Sequence, residues 1–155
     1  MLYVGIDLIR PTRFGIIDTL GGAAFYSRVF TPGEQIACGR SHTLLAVCFA
    51  AKEAVSKLLK TGLSIQGGGC VTCHSIEIFD VDTSEPKVHL TDAAFQAAQR
   101  LKLVQIVLHR GNIDDQIFVY AVGTTDISAR DFQKTLDTIH DAFRSHLAIG
   151  DSKPK

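Results

Sequence analysis

The segment Ser41 to Lys60 (SHTLLAVCFAAKEAVSKLLK) constrains this chain more than any other, because it is a 20-residue run that keeps a helical period throughout. At 100° per residue, Leu44, Cys48, Ala51, Val55, Leu58 and Leu59 fall on one stripe, with Glu53, Lys57 and Lys60 roughly opposite. Ser41 is an N-cap residue type, and Gly62 lies near the place for a C-terminal glycine stop. The charged side is not wholly polar: Phe49 lies within about 40° of Glu53 on the same wheel, so this side is expected to press against something. A helix with such a stripe needs a sheet or further helices to cover it.

The rest of the chain supplies mostly strands. Leu2 to Ile9 alternates, with Leu2, Val4, Ile6 and Leu8 on one face, expected to be buried, and Tyr3, Gly5 and Asp7 on the other. Residues 12–40, with Gly21-Gly22, Pro32-Gly33 and an aromatic cluster of Phe25, Tyr26 and Phe30, read as short helices and loops. Thr61 to Gly69 reads as a glycine-rich mobile loop. Strands are expected at about 71–81, 87–90, 103–109 and 117–122, with Ser84-Glu85-Pro86 as a turn and Gly111-Asn112 in a loop. A short helix from Asp92 to Leu101, capped by Thr91, separates the second and third of these. Phe132, Leu136, Ile139, Phe143 and Leu147 mark a terminal amphipathic helix over 128–147. The pattern is α+β, with mostly antiparallel pairing because the strand connections are short.

Charge and length narrow the function classes. The chain has 155 residues, 46% of them apolar, and its 16 basic and 16 acidic side chains cancel. That excludes disorder and argues against a duplex nucleic-acid partner, which calls for a basic face. There is no run of roughly 20 apolar residues to span a membrane and no charged leader before an apolar stretch, so the expected location is the cytoplasm. The four cysteines, Cys38, Cys48, Cys70 and Cys73, are then expected to be free thiols.

Three constellations carry chemistry. Cys70-Val-Thr-Cys73-His74 has the spacing of covalent haem attachment, but that chemistry goes with export, and the run leads straight into a strand. Zinc on Cys70 and Cys73 would need two more ligands, and only Cys38 and His42 offer the spacing. Asp7 and Glu53 form the third: two carboxylates on different elements, a donor set for a hard divalent ion such as Mg²⁺. Taken alone, Glu53 and Lys57 are a common i, i+4 pair on a solvated face, and a lone Asp7 can simply mark the solvent side of its strand.

Gly5-Ile6-Asp7-Leu8, Phe30-Thr31-Pro32-Gly33-Glu34 and Phe49-Ala-Ala-Lys-Glu-Ala-Val-Ser-Lys57 resemble the holo-acyl-carrier-protein synthases, the short phosphopantetheinyl transferases. The resemblance continues through Ile76-Glu77-Ile78, Pro86, His109 and Val119-Tyr120-Ala121-Val122. It implies the 4′-phosphopantetheinyl transferase fold over 1–123, a mostly antiparallel sheet packed on one long helix; the C-terminal helical extension expected over 124–150 is more than the short family needs, and the tail at 151–155 is expected to fray. The implied activity moves the phosphopantetheine arm of coenzyme A to a carrier-protein serine, as in fatty acid or polyketide assembly. By the same resemblance Asp7 and Glu53 hold Mg²⁺, Glu53 and Lys57 are catalytic, and Lys52 and His109 contact coenzyme A. Arg10, Arg13 and Arg28 are expected to dock the carrier, and a homotrimer is implied.

The chain also departs from the family. Cys48 replaces the usual Arg before the helix motif, and Ile106-Val107-Leu108-His109 replaces a Ser-x-Ser-His run, removing donors expected to serve the 3′-phosphoadenosine. Ser84 stands for a common Gly, and Gly67-Gly68-Gly69 is unusual. Arg110 offers a replacement charge for the 3′-phosphate. The rival expectation is a non-catalytic or repurposed homologue that binds a carrier protein or its acyl chain.

Overall fold

The computed structural model describes residues 1–65, 71–125 and 129–148. It divides into two compact units, Met1–Thr125 and Asp126–Lys155. The first runs β1 (Leu2–Ile9), α1 (Thr12–Thr19), α2 (Ala23–Val29), α3 (Pro32–Cys38), α4 (His42–Leu58), β2 (Leu63–Ser64), β3 (Val71–Thr72), a 3₁₀ turn (Cys73–Ser75), β4 (Ile76–Phe79), β5 (Lys87–Leu90), α5 (Asp92–Arg100), β6 (Gln105–Ile113) and β7 (Gln116–Thr124). Of the second unit, the helix α6 (Ala129–Ala148) is described. In it Phe132 and Leu136 are buried and Ile139 is half-buried, as the apolar stripe requires. The expected glycine-rich stretch at 67–69 and the tail 151–155 lie outside the described residues.

The fold is α+β, as expected. β1, β7 and β6 form an antiparallel sheet in that order, β4 and β5 an antiparallel pair, and β2 and β3 a two-residue parallel pair. Helix α4 crosses the three-stranded sheet and is the core of the unit. Ser41 caps it, its hydroxyl accepting from the Leu44 N–H at 3.2 Å. The helix ends at Leu58, and Lys60, at φ 57°, takes the left-handed position anticipated for Gly62.

One expectation about β1 is reversed. The alternation is correct, but Leu2, Val4, Ile6 and Leu8 are the exposed row, at 44–50%. Gly5, Ile9 and the half-buried Tyr3 and Asp7 face the helix instead. The cause is the close approach of strand and helix at Gly5, where an added Cβ would lie 1.9 Å from the Ala54 carbonyl oxygen. Only a residue without a side chain permits that contact.

Other boundaries shift for local reasons. The run expected as a strand over 71–81 is broken by the 3₁₀ turn at Cys73–Ser75. Gly111 and Asn112 lie within β6, and the reversal falls at Asp114 and Asp115, with Asp114 at φ 52°. Gly111 lies against the Phe118 ring there, and a Cβ would meet that ring at 2.4 Å and force it to shift. Thr91 occupies the N-cap position of α5, but its side chain makes no capping hydrogen bond.

Candidate active site

Because Gly5 lets β1 lie directly on α4, the next inward residue, Asp7, meets the polar edge of the helix. Lys57 donates to Asp7 Oδ1 at 2.7 Å and to the Ile6 carbonyl at 3.0 Å. Asp7 is 17% exposed and Lys57 49% exposed at the side chain, so the pair sits at a partly open surface. One turn before Lys57, the Glu53 carboxyl is held above its ordinary range, first by desolvation and then by the negative charge of Asp7, while Lys57 and Arg13 oppose the shift. Two carboxylates on rigid elements, near enough to repel, are a donor set that a hard divalent cation relieves. Among the described residues no cluster of three or more such side chains occurs, so a cation here would take two carboxylates and complete its shell with water or phosphate oxygens.

Lys52 is placed elsewhere, and its expected contact with coenzyme A is corrected. Its side chain is fully buried, donating to the Cys73 carbonyl at 2.6 Å and the Ile76 carbonyl at 2.5 Å and pairing with Glu34 Oε2 at 2.9 Å. Glu34 in turn accepts from the N–H groups of Thr31 and Ile78, each at 2.8 Å, and the Thr31 hydroxyl donates to Glu77 at 2.7 Å. Thr31 and Glu34 form a complete capping box on α3. The Thr-x-x-Glu spacing was a readable signal for the cap. That Glu34 would also receive a lysine from α4 was not readable.

His109 does not join the acid pair of its own chain. In the register of β1, β7 and β6 it shares a face with Tyr120 and Ile6, opposite the face that carries Asp7. It is 5% exposed, with its ring stacked 5.3 Å from Tyr120 and its Nε2 3.7 Å from Glu85. Arg110 is on the Asp7 face but two strands away, and its guanidinium donates to the carbonyls of Asp82 and Thr83, both at 2.7 Å. It braces the β4–β5 loop. At position 48, Cys48 is fully buried in the core. Leu108, 1% exposed, is buried as well.

The expected docking arginines separate. Arg10 pairs with Asp115 at 2.9 Å, Arg28 is exposed on α2, and Arg13 lies over the Phe49 ring, 5.6 Å from its centroid. Cys38, Cys48 and Cys73 are buried free thiols, and Cys70 lies outside the described residues. Burial pushes the Cys48 thiol well up, and a hydrogen bond from Cys48 lowers that of Cys38. His42, the other zinc candidate, is engaged with Asp18 at 2.7 Å rather than with Cys38.

Sequence reasoning missed a second polar cluster. Asp18 accepts from Tyr26 at 2.5 Å and contacts His42 Nε2 at 2.7 Å, beside an open cavity of about 710 Å³ that Gln35 and Arg40 also line. Those bonds lower the Asp18 carboxyl, while desolvation, then Asp18, pushes Tyr26 up to about 12. No spacing announces this cluster, because its members come from α1, α2 and α4.

The profile of the 4′-phosphopantetheinyl transferase superfamily matches residues 3–120. The holo-[acyl-carrier-protein] synthase of Desulforudis audaxviator (strain MP104C) is 33% identical over 125 residues, spanning 79% of this chain and 92% of that protein. That of Roseiflexus castenholzii (strain DSM 13941 / HLO8) is 38% identical over 109 residues, 70% of this chain and 80% of its own. The crystal structure of the Neisseria meningitidis holo-[acyl-carrier-protein] synthase superposes with a TM-score of 0.64 at 25% identity, covering 79% of this chain and 97% of that one. The Helicobacter pylori holo-[acyl-carrier-protein] synthase, solved with coenzyme A, gives the same TM-score at 20% identity, covering 78% and 99%, and so shares the fold.

Proposed function

Because the chain belongs to the 4′-phosphopantetheinyl transferase superfamily and is an enzyme of the holo-acyl-carrier-protein synthase type, we propose that it moves the phosphopantetheine arm of coenzyme A to a serine of an acyl or peptidyl carrier protein. The observation that supports this most directly is the meeting of Asp7, Glu53 and Lys57 where β1 crosses α4. Asp7 and Glu53 are the residues that would hold Mg²⁺. The ion, when bound, neutralises phosphate charge as it builds in the transition state.

In the transfer a serine oxygen forms a bond to the arm's phosphorus, and the bond from that phosphorus to the bridging oxygen of the 5′-phosphate breaks. Adenosine 3′,5′-bisphosphate leaves, and the serine proton passes to a carboxylate or a water. Glu53, held above its ordinary pKa, is the carboxylate assigned to accept it. Lys57, 49% exposed beside Asp7, is free to turn its ammonium toward a phosphate oxygen. Arg28 and Arg10 supply exposed positive charge for an acidic carrier.

A homotrimer is the proposed assembly. Family membership supports it, and so does the exposed apolar row of Leu2, Val4, Ile6 and Leu8. A role of His109 toward the nucleotide then requires a site shared between copies, since it faces away from Asp7 in its own chain. The expected compartment is the cytoplasm, where free thiols persist. Among the described residues no helix is long and apolar enough to cross a membrane.

The test is direct. Incubation with coenzyme A, Mg²⁺ and an apo carrier should add the mass of the arm to the carrier and release adenosine 3′,5′-bisphosphate. Asp7→Ala and Glu53→Ala should each abolish transfer with the circular dichroism unchanged. Near-full activity in either variant would remove the assignment of the acid pair. An unmodified carrier with the wild type would leave the carrier-binding homologue as the better account.

A further inference from the structure

Helix α3 ends at Cys38, whose carbonyl accepts from the Ser41 N–H at 3.0 Å, and the chain turns through Gly39, at φ 54°, into α4. At the other end of α3, Glu34 pairs with Lys52 at 2.9 Å. Those two contacts make α3 run back along α4. On either helix a residue four positions away lies on the same face, one turn along. Cys38 is four residues after Glu34 and Cys48 four before Lys52, so the rung next to the ion pair is a pair of thiols. Both are buried, Cys38 at 3% and Cys48 at 0% exposure, and the Cys48 S–H donates to the Cys38 sulfur. The proposed transfer uses neither of them.

The two thiols are unequal. Cys38, the acceptor, is held below its ordinary thiol range chiefly by that bond, while burial pushes Cys48 well up. Cys38 is also the nearer to solvent: it adjoins the exposed Gly39 and Arg40, and nothing lies within 4 Å of where a Gly39 Cβ would be. Gln35, Gly39 and Leu45 line the open cavity of about 710 Å³, each within a turn of one of the thiols. A small oxidant can reach this place, whereas a bulky disulfide is shut out from a thiol only 3% exposed. The deprotonated thiol is the nucleophile, so Cys38 attacks first and Cys48 resolves.

We propose that Cys38 and Cys48 are a redox couple, a modification site at which a hydroperoxide closes a reversible disulfide between α3 and α4. With hydrogen peroxide, the Cys38 thiolate takes one oxygen as the O–O bond breaks, and the departing hydroxide picks up the proton that Cys38 released. The Cys48 sulfur then attacks the sulfenic sulfur: the S–S bond forms, the S–O bond breaks, and hydroxide leaves as water with the Cys48 proton. The two thiols have lost two electrons and the peroxide has become two waters.

The couple lies about 140° around α4 from Glu53, so the inference is independent of the transferase reading and its test needs no transfer assay. The intact chain is treated with hydrogen peroxide, alkylated in denaturant and cut with trypsin. Cleavage after Arg40 separates the Cys38 peptide, 29–40, from the Cys48 peptide, 41–52. Met1, the one methionine and 77% exposed, gauges the dose. The two peptides should be found joined before Met1 becomes its sulfoxide, and dithiothreitol should release them. Cys48→Ala should leave Cys38 as a sulfenic acid that dimedone traps, and Cys38→Ala should leave Cys48 a thiol at the same dose. Met1 sulfoxide formed while both peptides are still alkylated and separate overturns the proposal, as does linkage of either thiol to another cysteine instead. The wild-type chain alone decides the pairing, so a variant that fails to fold leaves the test intact.

Discussion

Helix α4 carries two lysines five positions apart, and the molecule uses them in opposite ways. Lys52 and its partner Glu34 are both fully buried, whereas Lys57 and Asp7 are 49% and 17% exposed. Five residues turn about 140° around a helix, which is enough to send one lysine into the core and leave the other at the edge. Inside, each group has several partners: Lys52 holds two carbonyls and Glu34, and Glu34 holds two N–H groups. At the edge, Lys57 has one carboxylate and one carbonyl, with the rest of its ammonium open to solvent. The same residue type is a fixed strut in one place and an available charge in the other, and the difference is the number of partners the surrounding elements bring.

The largest effect should come from breaking the buried pair. Lys52→Met leaves the Glu34 carboxylate uncompensated and should cost about 3–5 kcal/mol in denaturant unfolding. Glu34→Gln combined with Lys52→Met should recover part of that loss, because the orphaned charge is gone. A double variant no more stable than Lys52→Met would mean that the strut acts through shape rather than charge.

Gly5→Ala comes next. Its methyl would lie 1.9 Å from the Ala54 oxygen and 2.6 Å from the Leu58 nitrogen, both backbone atoms that cannot turn aside. Separation of β1 from α4 should cost about 1–3 kcal/mol and should reduce transfer as well, since Asp7 moves with the strand. Unfolding curves and turnover measured on the same preparation would check both.

Lys57→Ala should barely move stability, by about 0–1 kcal/mol, while lowering transfer strongly. A matching loss of stability and activity would make Lys57 a second strut and erase the contrast with Lys52.

The smallest effect concerns pH. Glu53 titrates above its ordinary value of 4.5 in the folded chain. Between 4.5 and that raised value the folded state holds a proton the unfolded state has released, so stability falls as pH rises through the window. Glu53→Gln should flatten this fall in a pH series of unfolding curves. Asp7→Asn should lower the Glu53 titration midpoint read by carboxyl NMR, because a repelling charge is removed. In the wild type, Mg²⁺ should bind more weakly as pH drops through the same window.

The long helix, the alternation of β1 and the α+β class were all legible, because period 3.6 and period 2 are properties of the chain alone. Asp7 and Glu53 were legible from the residues as one possible donor pair, and the resemblance of their surrounding motifs added Lys57 and set that reading above the ordinary surface readings of a lone acid in a strand and an i, i+4 pair. Lys52 stands next to Glu53 in that motif, and sequence adjacency misled: neighbours on a helix point about 100° apart.

What the sequence determined by itself is therefore local: which segments repeat with which period, where Ser41 caps its helix, and which positions lack a side chain. Tertiary structure decided which face of each period turned inward. Leu2, Val4, Ile6 and Leu8 are the more apolar row of β1, yet they stay outside because Gly5 allows α4 to press on the other face. Burial is set by what an element meets and not by its own composition, and closest approach goes to the smallest side chain. The same dependence on tertiary neighbours sends Arg13 to a ring that the packing of α1 and α2 on α4 holds in place.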